Sequence, residues 1–245
     1  MRPMPPSAGT GPAWLVLPTY NEAENIEPIV AAALKNLPES ARVLVVDDNS
    51  PDGTGEIADR LAADEPRIEV LHRQNKEGLG PAYIAGFRRA LAAGAGYVLE
   101  MDSDFSHDPA DLPRLLEAAE GADLAIGSRY VPGGGVENWT ALRKAVSRGG
   151  SAYARLVLGV PVRDLTGGFK CFRREVLEAI DLGAVNSRGY AFQVEMTYRA
   201  VKAGYEVVEV PIFFRDRLAG TSKMSGTIVA EAAWRVPLLR FGRGS

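Results

Sequence analysis

Two carboxylates one residue apart, Asp102 and Asp104, are the residues whose types and spacing first point to chemistry. They follow an apolar run from Tyr97 to Met101 that reads as a buried strand. They precede Pro109, which suits the first turn of a helix. In an open α/β sheet, ligands bind in the crevice beyond the carboxyl ends of the strands, so both acids are placed to project into it. Paired carboxylates on a short turn, with no His or Cys cluster beside them, are hard oxygen ligands suited to Mg²⁺ or Mn²⁺. Such an ion keeps waters and takes its remaining ligands from substrate phosphates. The pattern therefore points to a metal held between Asp102, Asp104 and a diphosphate. The competing role is structural, because acids at strand ends also cap helices and shape turns.

Those acids need a scaffold, and the apolar periodicity supplies one. Residues 13–17 form a short apolar run closed by Pro18, then Asn21-Glu22 and a helical pattern from Ile26 through Leu37. Residues 42–46 repeat the run and end in Asp47-Asp48-Asn49-Ser50-Pro51-Asp52-Gly53, dense in turn formers, before a helix from Thr54 to Ala63. Ile68 to Leu71 is predicted as a strand, Gly78-Leu79-Gly80 opens a helix through Leu91, Leu112 to Ala119 forms another, and residues 124–127 a further strand. This alternation predicts a mostly parallel, doubly wound α/β sheet with helices on both faces, in a single domain.

Beyond Gly127 the pattern changes. A loop reaches Trp139 and a long helix follows from Thr140 to Leu158. Its residues Leu142, Val146, Tyr153, Leu156 and Val157 form an apolar face, while Arg143 and Ser147, four apart, share a side. Thr166-Gly167-Gly168-Phe169-Lys170 turns into a short strand, and helices are predicted from Arg174 to Ile180 and from Phe192 to Ala203. Residues 205–214 read as a strand pair or a strand bent at Pro211, and residues 228–241 as a last amphipathic stretch.

Composition narrows the function classes. The chain has 245 residues, is 46% hydrophobic and carries a formal net charge of −3, which suits a packed core and argues against a general nucleic-acid binder. Cys171 is the single cysteine, so no disulfide within the chain and no thiolate metal site is expected, and a reducing compartment fits. His72 and His107 are too few for a zinc site, and His107, beside a predicted helix start, reads as a capping or surface residue. Residues 1–12, rich in Pro, Gly and Ser, read as a disordered tail rather than a signal peptide. No run approaches the roughly 18 consecutive apolar residues of a spanning helix.

Eight motifs stand together in order. They are Leu17-Pro18-Thr19-Tyr20-Asn21-Glu22, the run from Val46 to Thr54, Asp102-Ser103-Asp104, Gly127-Ser128-Arg129-Tyr130, Arg143-Lys144-x-x-Ser147-Arg148-Gly149, Leu165-Thr166-Gly167-Gly168-Phe169, Phe192-Gln193-x-Glu195-Met196, and Arg217-x-x-Gly220-x-Ser222-Lys223. The set resembles the family-2 glycosyltransferases of GT-A fold, and within them the dolichyl- or polyprenyl-phosphate mannosyltransferases, over roughly residues 13 to 228. The resemblance implies a GT-A domain over 13–245 that transfers mannose, with inversion, from GDP-mannose to a polyprenyl monophosphate on the cytoplasmic side of a membrane.

Carried over by position, the resemblance places Pro18, Tyr20, Glu22, Val46 and Asp48 on the guanine and ribose. For Asp47 and Asp52, turn chemistry is the serious alternative. Met101, Asp102, Ser103 and Asp104 fall on the nucleotide sugar, with Asp104 the firmest metal ligand. Many relatives have Gln at the position of Ser106, whose shorter side chain reaches a metal through a bridging water. Arg129, Arg143 and Ser147 match residues that meet the acceptor phosphate, Arg129 also bordering the donor. Arg217 and Lys223 match a basic pair that clamps the donor diphosphate as a loop closes. Planar Arg forks suit phosphate oxygens, and Lys supplies a point charge for a leaving group. Arg148 and Arg173 are expected on a solvated face.

A phosphomonoester has a second pKa near 6 and is about nine-tenths dianion at pH 7, so the nucleophile needs no strong general base. The isoprenoid stays in lipid, so the helix over 140–158 and the stretch over 228–241 are candidates for a bilayer surface or a membrane-protein partner, with core packing as the alternative for the first. Some relatives carry C-terminal spanning helices and others use separate membrane subunits; this chain, ending near Ser245, is expected among those without an anchor. The nearest rival keeps the fold and uses UDP-glucose. A receiver-type signalling module around Asp47-Asp48 and a phosphatase using Asp102 and Asp104 are remote rivals, because the motif order matches neither.

Overall fold

The computed structural model describes residues 10–185, 187, 189–215 and 235–241. The described chain is a seven-stranded sheet with helices on both faces and a two-stranded accessory sheet. Its first half runs β1 (Ala13–Thr19), α1 (Ile26–Asn36), β2 (Arg42–Asp47), α2 (Thr54–Asp64), β3 (Ile68–His72), α3 (Leu79–Ala92) and β4 (Tyr97–Glu100). A 3₁₀ turn over Pro109–Asp111 leads into α4 (Leu112–Gly121), then β5 (Leu124–Ser128), β6 (Gly135–Val136) and α5 (Ala141–Leu158). β7 (Lys170–Arg173), α6 (Arg174–Ala179), α7 (Gly189–Lys202), β8 (Val207–Pro211) and β9 (Phe213–Phe214) follow.

The strands lie in the order β3-β2-β1-β4-β7-β5-β8, and β7 alone runs antiparallel, between β4 and β5. The middles of β1, β2 and β4 are apolar on both sides, because both faces of the sheet are covered. Leu15, Leu17, Val43, Val45 and Leu99 meet α1, α2 and α4, while Trp14, Val16, Leu44, Val46 and Val98 meet α3, α6 and α7. The order 3-2-1-4 reverses direction between the neighbours β1 and β4, and a crevice opens beyond the carboxyl ends of strands at such a switch point.

One sequence expectation is corrected here. Arg173, expected on a solvated face, is 2% exposed, and its guanidinium donates to the carbonyls of Ala119 and Glu120 at the end of α4. Those carbonyls have no partner further along the helix, and a buried cation supplies one. Of the two readings of the apolar row of α5, core packing does not hold for most of it: Leu142, Val146, Tyr153 and Leu156 are exposed, Val157 packs against the core, and the helix buries Ser151, Ala154 and Leu158. The 205–214 segment divides at Ile212, β8 closing the main sheet and β9 pairing with β6. Most of the 1–12 tail, Arg217, Lys223 and the first part of the 228–241 stretch lie outside the described residues; residues 235–241 are helical.

Helix α3 approaches β1 closely at Gly86, where an added Cβ would lie 2.4 Å from Val16 Cγ1. Gly86→Ala is expected to destabilise the fold by about 1–3 kcal/mol through overpacking, read as a lower urea midpoint at unchanged m-value.

Candidate active site

Loops after β1, β2 and β4 meet at the crevice, and each makes a turn that ordinary backbone avoids. Asn21, Asn49 and Phe105 adopt φ of 57°, 58° and 59°. For Phe105 this left-handed conformation is costly, and such strain concentrates where a site dictates the backbone. Here it lets Asp104 and Ser106, on either side, both line the cleft, with Asp104 Oδ1 accepting the Ser106 N–H at 3.0 Å. Ser103 Oγ donates to the Pro18 carbonyl at 3.1 Å, tying this turn to β1.

The cleft has a volume of about 330 Å³ and brings together Pro18, Tyr20, Glu22, Asp48, Asp102, Ser103, Asp104, Ser106, Arg129 and Arg143, all singled out by sequence. Val46 and Met101 do not line it; both side chains are buried in the core, so any contact they make with a ligand is through the backbone. Ser147 also lies off the cleft wall, its Oγ accepting from the Tyr130 hydroxyl at 2.6 Å. Asp47 and Asp52 are turn organisers: Asp47 accepts from Ser50, and Asp52 accepts from the Ala23 and Thr54 amides.

At the β1/β2 end, Lys76 Nζ lies 3.5 Å from the Tyr20 ring centroid, and Arg73 pairs with Asp48. Burial pushes the Asp48 carboxyl up and Arg73 opposes it. At the far end, Arg129 holds Asp164 through Nε at 2.7 Å and Nη2 at 2.6 Å, and Nη2 also reaches Thr166. Burial alone would raise Asp164, but the Arg129 charge and hydrogen bonds outweigh it and keep the carboxyl below its ordinary range. The ion pair therefore presents Arg129 in one fixed orientation. Arg143 lies over Trp139 at 4.1 Å from the ring centroid.

His107, expected as a cap or surface residue, is 2% exposed, lines the cleft and packs against Phe169 and Phe214 at centroid distances of 5.0 and 5.1 Å. Its neighbour Asp108 makes the cap instead, accepting from the Ala110 amide. Burial pushes the His107 imidazole down to about 4. Sequence reasoning also passed over Lys76, Trp139, Thr166, Gln193 and Phe214 as cleft residues. Trp139 and Phe214 lie in or beside irregular segments whose position no periodicity fixes.

A divalent ion fits the floor. Asp102 and Asp104 supply carboxylate oxygens, and the buried Ser106 Oγ has no hydrogen-bond partner among the described residues. No group of three or more His, Cys, Asp or Glu able to hold a metal occurs among the described residues, so protein ligands alone do not form a cage. That donor set suits Mg²⁺ or Mn²⁺ sharing its shell with a diphosphate and waters.

A doubly wound sheet with an Asp-x-Asp turn over an open crevice defines a GT-A-like fold. Solved structures agree: glucosyl-3-phosphoglycerate synthase from Mycobacterium tuberculosis, in complex with Mn²⁺, UDP and glucosyl-3-phosphoglycerate, aligns over 96% of this chain and 82% of its own at a TM-score of 0.67 and 21% identity. The family model "Glycosyl transferase family 2" matches residues 14–181. A polyprenol monophosphomannose synthase of Mycolicibacterium smegmatis is 52% identical over 224 residues, 91% of this chain and 84% of that protein. An undecaprenyl-phosphate mannosyltransferase of Micrococcus luteus is 52% identical over 221 residues, 90% of each chain. The chain belongs to glycosyl transferase family 2.

Because His107 is held near 4 in the fold against 6.5 ordinarily, the unfolded chain binds the extra proton first. Its contribution to stability is complete above about pH 6.5 and is lost as pH falls toward about 4. Urea titrations across that window should show a shallower acid loss in His107→Gln than in the native chain. Equal slopes would place the acid sensitivity elsewhere.

Proposed function

We propose that the enzyme transfers mannose from GDP-mannose to a polyprenyl monophosphate, inverting the anomeric carbon to give a β-linked mannosyl phosphate. The observation that carries this reading is the 52% identity, over nine-tenths of the chain, to two proteins named for mannosyl transfer to polyprenol or undecaprenyl phosphate. The cleft's chemistry supports it. Pro18, Tyr20, Glu22 and Asp48 receive the nucleoside, with the backbone at Val46. Asp102 and Asp104 would hold Mg²⁺ or Mn²⁺, with Ser106 contributing through water. When bound, the ion would offset charge on the departing nucleotide.

The chain's own residues align two anions that otherwise repel. Arg143, Ser147 and the Asp164-oriented Arg129 receive the acceptor phosphate, while Met101, Ser103 and Arg129 border the donor. Arg217 and Lys223, outside the described residues, are assigned to the leaving diphosphate. The dianionic acceptor is already a competent nucleophile at neutral pH. That agrees with His107 Nδ1 standing 3.9 Å from Asp102 Oδ2, beyond hydrogen-bond distance.

The same reading places the enzyme peripherally on the cytoplasmic face of a membrane. Helix α5 carries Arg143, Lys144, Arg148 and Arg155, with no acid, beside its exposed apolar row. The helical residues 235–241 add Leu238 and Phe241, 54% and 73% exposed. Arg240 lies against Gly159 at the end of α5, so the two helices adjoin. Exposed apolar side chains among cations suit an anionic bilayer surface, and an integral membrane protein could occupy the same face. No helix among the described residues is long and apolar enough to cross a membrane.

The test supplies Mg²⁺ or Mn²⁺, a short polyprenyl phosphate in detergent, and radiolabelled GDP-mannose or UDP-glucose in parallel. Lipid-extractable label is expected from GDP-mannose alone, falling by about 10²–10³ in Asp104→Ala. With the acceptor in vesicles instead of detergent, Leu142→Ser/Leu156→Ser should lose transfer selectively. No lipid product from either donor, with folded protein and added membranes, would overturn the proposal; product from UDP-glucose alone would change the sugar.

A further inference from the structure

The carboxylate of Asp102 is held from behind by a residue that no step above uses. Tyr83, on α3, is 0% exposed and stands behind the cleft wall. Its ring stacks on Phe87, four residues along the same helix, at a centroid distance of 5.7 Å. It also stacks on Phe192 of α7, at 5.9 Å with 2° between the ring planes. Gly80 lets α3 come this close, since an added Cβ there would lie 2.9 Å from the Ser187 carbonyl oxygen and 3.1 Å from Phe192 Cδ2. The two rings fix the direction of the Tyr83 side chain, and its hydroxyl reaches Asp102 Oδ1 at 3.4 Å.

Packing alone would be served as well by phenylalanine. A hydroxyl taken out of water costs free energy unless it finds a hydrogen-bond partner, and the partner here is Asp102. A phenol keeps its proton at neutral pH, so Tyr83 donates and the carboxylate accepts. The bond is long for an O–H···O pair, but its acceptor is charged, which strengthens it. The Asp102 side chain is 29% exposed and lines the cleft. Tyr83 therefore holds it from the core side and leaves its cleft side open.

We infer that Tyr83 is a positioning residue for the divalent ion: its hydroxyl orients the Asp102 carboxylate for metal binding and touches no substrate. This rests on the assignment of Asp102 to the metal in the mechanism above. The last torsion of an aspartate is broad, so an unheld carboxylate must give up rotational freedom when it ligates an ion. A hydrogen bond to one oxygen removes part of that freedom beforehand. Asp104 has its own orienting donor, the Ser106 amide at 3.0 Å. Ligating carboxylates are in general hydrogen-bonded in turn, and losing such an outer partner costs about 10–100-fold in metal affinity.

The experiment titrates Mn²⁺, with GDP present, into the native enzyme, Tyr83→Phe, Asp102→Asn and the double variant, reading the free ion by its electron paramagnetic resonance signal. Tyr83→Phe keeps both ring stacks and removes the donor alone. It is expected to bind Mn²⁺ about tenfold more weakly than the native enzyme, the lower end of that range because the hydrogen bond is long. In the Asp102→Asn background, Tyr83→Phe should cost nothing further, as coupled partners require. Calorimetry with GDP and no metal should give equal affinities for the native enzyme and Tyr83→Phe, because a general distortion of the cleft would weaken both ligands. If Tyr83→Phe melts below the native enzyme, the titrations run at a temperature where circular dichroism shows both fully folded, and the double variant still separates orientation from packing. Native Mn²⁺ affinity in Tyr83→Phe, an equal loss with and without Asp102→Asn, or a parallel loss of metal-free GDP binding would overturn the inference. Failure of the metal assignment registers separately, as native Mn²⁺ affinity in Asp102→Asn, and would remove the inference with it.

Discussion

The antiparallel strand β7, wedged between β4 and β5, is the constraint on which the site depends, and the buried Glu100–Lys170 contact fixes its register. Taking both charges out of water costs several kcal/mol per ion, which their attraction repays only with good geometry and further hydrogen bonds. Such a pair adds little net stability; what it supplies is register. A slip of one residue would turn Lys170 to the opposite face of the sheet and leave Glu100 buried without its cation. In register, the turn before β7 sets Gly168 beside Asp102 and Thr166 beside Arg129.

From that junction the cleft acquires its polarity. Carboxylates gather at the end of β4, and cations stand at the far side, where Asp164 fixes Arg129 and Trp139 carries Arg143. Glu209 holds Asp164 in turn by accepting the Arg163 and Asp164 amides at 2.8 and 2.9 Å. An active site that must bring two phosphates together gains from cations oriented before the substrates arrive, since reorganisation at the moment of reaction is avoided. The left-handed backbone at Phe105 is the strained part of the same arrangement, and it turns both Asp104 and Ser106 toward the cleft.

Much of this was legible in the amino-acid sequence. Strands β1 to β5 read correctly because apolar runs bounded by Pro, Gly and Asp leave little ambiguity, and the Asp-x-Asp turn follows its strand as expected. The antiparallel sense of β7 was not legible, because a four-residue run carries no direction. His107 and Arg173 were misplaced for a shared reason: polar side chains default to the surface unless a partner is known. The partners here are two aromatic rings and a helix end distant in sequence. The apolar row of α5 was visible as a row, but periodicity alone does not say whether core or lipid covers it.

A crystal structure with Mn²⁺ and GDP-mannose tests the central claim most directly, because it reports the metal and the direction of the nucleotide together. An anomalous manganese peak is expected at Asp102 and Asp104, with the diphosphate beside it and the guanine toward Tyr20 and Asp48. A peak away from those carboxylates, or a nucleotide lying with its base toward Arg129, would contradict it.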